Sequence, residues 1–534
     1  MKDQAIKLDD EQMRRFICDG VLVLDSGVAP ELHQHIFDKI QWNQTHEFNM
    51  GNNTLPRIAE LQQVLDAPVI HGALQSLLGE DYILHPHRAL HTSEPLEEAQ
   101  REMQIEGHEH GPPMGEGSNS NSSWHQDGQI PMSRARYHVP RMAMIFYFPQ
   151  DTLIERGPTR VIPGTHLQPY LRKSDFPFAF VAQDIKAGTC LLVAYDIAHA
   201  ALSNCTNENR YMLKFQFMRV SNPTEPSWIG GQSGWQPPQD KLGRFDHSQA
   251  WTYIWDWLRG APHPSTVASV KEIEGWISTL NTIAQQERLD AIYRLARAGH
   301  EAVQPLCESL LQHAGLEREF TCEYHIDEDG AYMPVGDPNE RRWNDVAYTL
   351  QDESYALGAM GELAVQPLVE LLKHDDAWIK INAAFALGEI GPAAEESVPE
   401  LITLLHHELH QVVRAALDAM AGIGTNIEVA LPRIRELLTV DNLDWQKPMG
   451  NRRGETGVRF NALYALLCSD ISITEIEDLL VTCLDDVNGY VRAMALEALT
   501  RPESGEDRDG LVHALDYLKT HCWDDTLANE VRVF

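Results

Sequence analysis

A helical unit that recurs along the second half of the chain constrains its fold more than any other feature. It is visible in AVQPLCESLL from residue 302, AVQPLVELL from 364, SVPELITLL from 397 and ALPRIRELL from 430. Its prolines, Pro305, Pro367, Pro399 and Pro432, step by 62, 32 and 33 residues, so the first step spans two units, partly disguised by the insertion FTCEYHIDEDGAYMPVGDPNERRW. Between the units lie partner stretches such as WIKINAAFALGEIG, VVRAALDAMAGIG and VRFNALYALL, with small residues where neighbouring helices must approach. A helix pair this short cannot bury its apolar face alone, so stacking into a solenoid is the physical solution.

With a proline near the start of each second helix and a Val-Arg opening at Val413-Arg414, Val458-Arg459 and Val491-Arg492, this half resembles HEAT repeats. The texture upstream differs. Apolar runs of strand length, GVLVLD at 20–25, MAMIFYF at 142–148, TCLLVAYD at 189–196 and RYMLKFQFMRV at 210–220, are separated by turn clusters and point to a β-sandwich or barrel. Helices are expected at 10–18, 30–41 and 67–78. The chain therefore reads as multidomain, with a β domain over 1–262, a linker over 263–284 and an all-α solenoid over 285–534.

At 534 residues, burying a large core is no difficulty. A formal net charge of −35, from 78 acidic and 43 basic side chains, repels phosphate backbones and anionic lipid. A small molecule or a protein is the better partner, with no nucleic acid and no membrane. The charged N-terminus MKDQAIKLDDEQMRRF lacks the apolar core of a signal peptide, so a cytoplasmic protein is expected. Eight scattered cysteines without a C-x-x-C pair suggest neither a disulfide framework nor a thiolate zinc site.

The stretch SSWHQDGQ at 122–129 sets His125 and Asp127 one residue apart. In an extended strand, side chains at i and i+2 share a face and can grip one ion. A third ligand is offered by His199, which closes an apolar strand, and Arg210 opens the next strand across a polar turn. Two histidines and a carboxylate on one face of an ion suit non-haem Fe(II) and leave positions open for a co-substrate and dioxygen; zinc is the competing metal. The planar fork of Arg210 suits the remote carboxylate of a 2-oxo acid, which is what 2-oxoglutarate requires. Alternation places Arg210, Met212, Lys214 and Gln216 on one face, with Tyr211, Leu213, Phe215 and Phe217 towards a core.

WHQDG, the glycine-led turn GPTRVIPGTH and a histidine followed eleven positions later by arginine make residues 10–225 resemble the phytanoyl-CoA dioxygenase family of Fe(II)- and 2-oxoglutarate-dependent oxygenases. The resemblance implies a double-stranded β-helix (jelly-roll, cupin-like) with flanking helices, and His125, Asp127 and His199 as iron ligands. It implies Arg210 as the 2-oxoglutarate anchor and consumption of O2 with release of succinate and CO2. The family often has a hydroxyl two positions after the distal histidine, where this chain has Ala201. Because Asp127 is present, oxygen transfer to a C–H bond, most simply hydroxylation of a small organic substrate in secondary metabolism, is favoured over halogenation.

His85, His87 and His91 share a face of LHPHRALH; His87, with Gln129 and Tyr147, is a candidate to contact substrate. The loop EGHEHGPPMGEGSNSNSS at 106–123 has the composition of a lid, and Arg134, Arg136, His138 and Arg141 form a basic cluster after the metal motif. An alternative from another class makes the protein a HEAT-repeat interaction scaffold, binding a protein partner or a second copy of itself, whose oxygenase domain senses or modifies that partner.

Overall fold

The computed structural model describes residues 4–46, 50–97, 124–127, 137–169, 172–282, 284–315, 324–326, 332–334, 350–445, 454–486 and 488–500. The lid expected at 106–123, Gln129, Arg134 and Arg136 lie outside them.

Asp9 opens the first helix, Asp10–Asp19, through a capping box with Gln12, and Gly20 closes it in the left-handed conformation at φ 71°. Further helices follow at Pro30–His46 and Pro68–Leu78. The strands are β1 (Val21–Asp25), β2 (Ile83–Ser93), β3 (Met142–Tyr147), β4 (Thr159–Ile162), β5 (Phe180–Val181), β6 (Thr189–Ala194), β7 (Ala198–Ala201) and β8 (Arg210–Met218). They form two antiparallel sheets, β1-β6-β3-β8-β2 and β5-β4-β7. The outer face of the larger sheet, including Ile145, Leu192, Leu213 and Phe215, packs with Ile36, Ile40, Ile70 and Leu74 of the helices. Its inner face, through Met144, Phe146, Leu191, Val193 and Met212, meets Val161 of the smaller sheet. This is the expected jelly-roll-like arrangement with flanking helices, and every residue of β8 is buried because both of its faces are covered.

The C-terminal half is helical, as the repeats require. Pro399 and Pro432 sit in the first turn of Val398–Leu404 and Leu431–Thr439, where the missing N–H costs no intrahelical bond. The small residues of FALGEIG and AMAGIG mark a close crossing of helices Ala377–Ile390 and His410–Ile423. A Cβ on Gly422 would lie 2.2 Å from the carbonyl oxygen of Gly388, so only glycine allows this approach. The segment 263–284, expected as a linker, contains a helix. Ser269 and Glu272 form a capping box that starts a helix over Val270–Thr279, packed on Gln285–Arg297. No described helix is long and apolar enough to cross a membrane. The described cysteines are free.

The two halves meet along one end of the larger sheet. Arg141, just before β3, donates from Nε to Glu389 at 2.9 Å, with both side chains buried. Asn222 donates to the Gly422 carbonyl at 2.6 Å, and Tyr464 donates to the carbonyl of Arg219. His138 stacks on Tyr355 with ring centroids 4.1 Å apart and pairs with the Tyr293 hydroxyl at 2.9 Å. Two members of the basic cluster, His138 and Arg141, thus bind the solenoid.

Candidate metal centre

The metal motif and the strand carrying His199 are stitched together by backbone. His125 N–H donates to His199 O at 3.2 Å and His199 N–H to His125 O at 3.0 Å, which brings the two imidazoles to a centroid distance of 4.2 Å. Gln126, between His125 and Asp127, points the other way. Its amide donates at 3.0 Å to the carbonyls of Thr165, Gln168 and Asp196, tying the motif to the turn that ends in Pro163-Gly164-Thr165-His166. Gln126 fixes both neighbours while its own side chain stays out of the site.

The result is a cluster in which one nitrogen each of His125 and His199 and an oxygen of Asp127 lie within 4.8 Å of one another. His199 Nδ1 pairs with the carbonyl of Ile197 at 3.0 Å, so the ring carries its proton there and presents Nε2 as a lone pair to the cluster. That nitrogen is 3.9 Å from Asp127, as is Nε2 of His125. Burial, then the neighbouring His125, pushes the His199 pKa down to about 3, despite the opposing pull of Asp127. The ring is therefore unprotonated and ready to ligate at any ordinary pH. Between the usual 6.5 and about 3, the unfolded chain binds a proton at this residue that the folded chain does not. Its contribution to stability is complete above 6.5 and declines as pH falls through that window. Urea titrations of the metal-free protein at pH 7 and pH 5 should give a lower midpoint at pH 5, and His199→Gln should shrink the difference.

A residue not singled out by the motif completes the electrostatics. Lys214, buried on β8, donates from Nζ to both oxygens of Asp127 at 3.0 and 3.1 Å. Burial opposes charge on Asp127, but Lys214, then His199 and His125, outweigh it and hold the carboxyl well below its usual range. Asp127 is thus an anion within a site that is otherwise cationic or neutral.

Arg210 is almost fully buried at 1 % exposure, and burial lowers its pKa to about 10. Nε donates to the carbonyl of Gly157 at 3.0 Å, while Nη1 is buried without a hydrogen-bond partner among the described residues. A buried guanidinium nitrogen left unmatched is expensive unless an acceptor arrives. Gly157 itself has φ 71°, and a Cβ there would lie 2.4 Å from the Leu202 carbonyl oxygen, so the glycine that leads the turn also cradles the arginine. Residues 17–212, which bear this site, match the phytanoyl-CoA dioxygenase family. Residues 365–447 match HEAT repeats. No curated protein matches the chain.

Among solved structures, the non-heme alpha ketoglutarate dependent carbocyclase SnoK from nogalamycin biosynthesis is 15 % identical. That match covers 44 % of this chain and 95 % of that one, with a TM-score of 0.30. EctD from S. alaskensis, with 2-oxoglutarate and 5-hydroxyectoine, is likewise 15 % identical over 45 % and 86 %, with a TM-score of 0.31.

The hydroxyl common in the phytanoyl-CoA dioxygenase family two positions after the distal histidine is absent at Ala201, but Ala201 pairs with Thr159 across β7 and β4. Val161, two residues on, pairs with His199, so Thr159 stands on the same face as His199. Across β8, the register sets Ser93 opposite Arg210, His91 opposite Met212 and Ala89 opposite Lys214. His91 therefore faces the site, and its Nε2 is buried without a hydrogen-bond partner among the described residues.

Two of the proposed substrate contacts fare differently. The Nδ1 of His87 pairs with the Tyr490 hydroxyl of the solenoid at 2.9 Å. Tyr147 is corrected outright. It pairs with Leu213 and Cys190 on the outer face, its hydroxyl pairs with His33 Nδ1 at 2.8 Å, and the neighbouring Phe146 is the residue that faces His199, at 5.3 Å between centroids.

Proposed function

We propose that the protein is a non-haem Fe(II)- and 2-oxoglutarate-dependent oxygenase that hydroxylates a C–H bond of a small organic molecule, with His125, Asp127 and His199 as iron ligands and Arg210 as co-substrate anchor. The observation that carries this reading is the pairing of a compact His-Asp-His cluster with a buried arginine whose Nη1 has no acceptor among the described residues. A zinc site would have no use for that arginine. The donor set fits iron: two neutral imidazole nitrogens and one carboxylate, with space left for other ligands.

Bound there, iron and 2-oxoglutarate supply the oxidising chemistry, in which dioxygen is consumed, the 2-oxo acid becomes succinate and carbon dioxide, and one oxygen atom passes to substrate. The protein's part is positional. Arg210, oriented by the Gly157 carbonyl, holds the remote carboxylate of the co-substrate, and Thr159 offers the hydroxyl that Ala201 cannot. Lys214 engages both oxygens of Asp127, so that the carboxylate cannot rotate freely. Phe146, Met144 and Met212 give the chamber apolar walls that keep water from the reacting centre.

The test is iron-dependent conversion of 2-oxoglutarate to succinate under air, with a panel of small organic molecules scored for stimulation and for a product 16 mass units heavier. Succinate formation without any such product would redirect the reading from hydroxylation to another oxidative outcome. No succinate at all would reject the oxygenase.

A further inference from the structure

The solenoid meets the larger sheet of the β domain at one end of its strands. β3 and β2 both run antiparallel to β8: Met142 and Ile83 lie opposite Met218, Tyr147 lies opposite Leu213, and Ser93 lies opposite Arg210. Arg210 and Met218 are therefore at opposite ends of one strand, roughly 26 Å apart, with Lys214 midway. Every solenoid contact described above, through His138, Arg141, Arg219 and Asn222, falls at the Met218 end.

The edge strand β2 continues this pattern inward. Its His85 ring meets Phe460 at 5.1 Å and Tyr490 at 5.8 Å between centroids, and His87 bonds the Tyr490 hydroxyl. His87 is one alternation before Ala89, which lies opposite Lys214, the residue that holds Asp127. His91, one alternation further, lies opposite Met212, on the sheet face that also carries Lys214 and Arg210.

On the oxygenase reading, on which this inference rests, a co-substrate anchored by Arg210 fills the space from that end of β8 to the metal. The target C–H bond must then approach from the Met218 end, and that end is covered by repeat helices. We propose that the solenoid is a fixed wall of the substrate chamber, with Tyr490, held by His87, as a specificity-determining residue and Phe460 beside it. The wall is made of aromatic and imidazole rings, which fits a substrate with an apolar or aromatic body. The repeats would thus complete the enzyme, and a domain cut off before them would have an open mouth.

The experiment uses the full-length chain with fluorotyrosine placed at 490 alone, a substitution that keeps the ring and hydroxyl. Manganese(II) loaded into the His-Asp-His site serves as the paramagnetic probe, and zinc(II) as the diamagnetic control. Fluorine electron–nuclear double resonance is expected to show a dipolar coupling between manganese and residue 490. Manganese that binds without any fluorine coupling overturns the wall and leaves the oxygenase reading standing. Failure of the site to take up manganese or iron, read from the metal's own spectrum, rejects the oxygenase reading and this inference with it. Tyr490→Ala supplies a second readout: substrate-free oxidation of 2-oxoglutarate should rise several-fold in an unwalled chamber, whereas loss of a merely structural contact would lower it or leave it unchanged.

Discussion

Asp127→Asn is expected to destabilise the metal-free protein by about 3–5 kcal/mol, because it strands the Lys214 ammonium in a buried site with no counter-charge. Lys214→Met should cost a similar amount for the opposite reason, leaving Asp127 as a buried anion. The two variants part company when a divalent metal is added. In Lys214→Met the metal can neutralise Asp127, so saturating Fe(II) or Mn(II) should recover most of the lost stability by binding only the folded state. In Asp127→Asn the third ligand is gone and metal should recover little. The double variant should be more stable than Asp127→Asn alone, since neither charge remains to be stranded. Thermal midpoints of the four proteins with and without metal check all of this together. Equal metal rescue of both single variants would show that Lys214 and the metal do not compete for the same carboxylate.

The second large effect is expected at the other end of β8. Arg210→Ala removes the charged donor proposed for the remote carboxylate of 2-oxoglutarate. A charge-assisted bond of this kind is worth about 1.5–3 kcal/mol, so the variant should need roughly 10- to 150-fold more co-substrate for half saturation. Iron uptake in the absence of co-substrate should stay near the wild-type value, because Arg210 is not among the clustered ligands. A 2-oxo acid without the second carboxylate, such as 2-oxobutyrate, should bind wild type and variant alike. Thr159→Val should shift 2-oxoglutarate in the same direction by less. An equal loss for both acids in Arg210→Ala would mean that the arginine supports the fold around Gly157 rather than the ligand.

What the sequence made legible follows from local spacing. H-x-D on an extended segment, a histidine at a strand and an arginine opening the next are short-range signals, and the structure brings His125, Asp127 and His199 together. The alternation along β8 likewise placed Arg210 and Lys214 on one face, although nothing local indicated that Lys214 would reach a carboxylate 87 positions away. Tyr147 was misplaced because MAMIFYF is apolar throughout. A strand buried on both faces has no polar alternation to say which side looks inward. His87 was harder still, since its partner Tyr490 belongs to a helix more than four hundred residues downstream. Repeats advertise that they stack, but their period does not encode what their ends lean against. The helix in the expected linker was signalled by Ser269 and Glu272, a capping spacing overshadowed by the proline and glycine before it.

The most direct measurement is an anaerobic titration of Fe(II) and 2-oxoglutarate into the full-length protein, following the weak visible charge-transfer band of the chelate in wild type and in His199→Ala. A band that saturates in wild type and is absent in His199→Ala is the expected result, and it would place both iron and co-substrate at the cluster. A wild-type protein that develops no band, or a His199→Ala variant that develops the same one, would contradict the proposed metal centre and the oxygenase built on it.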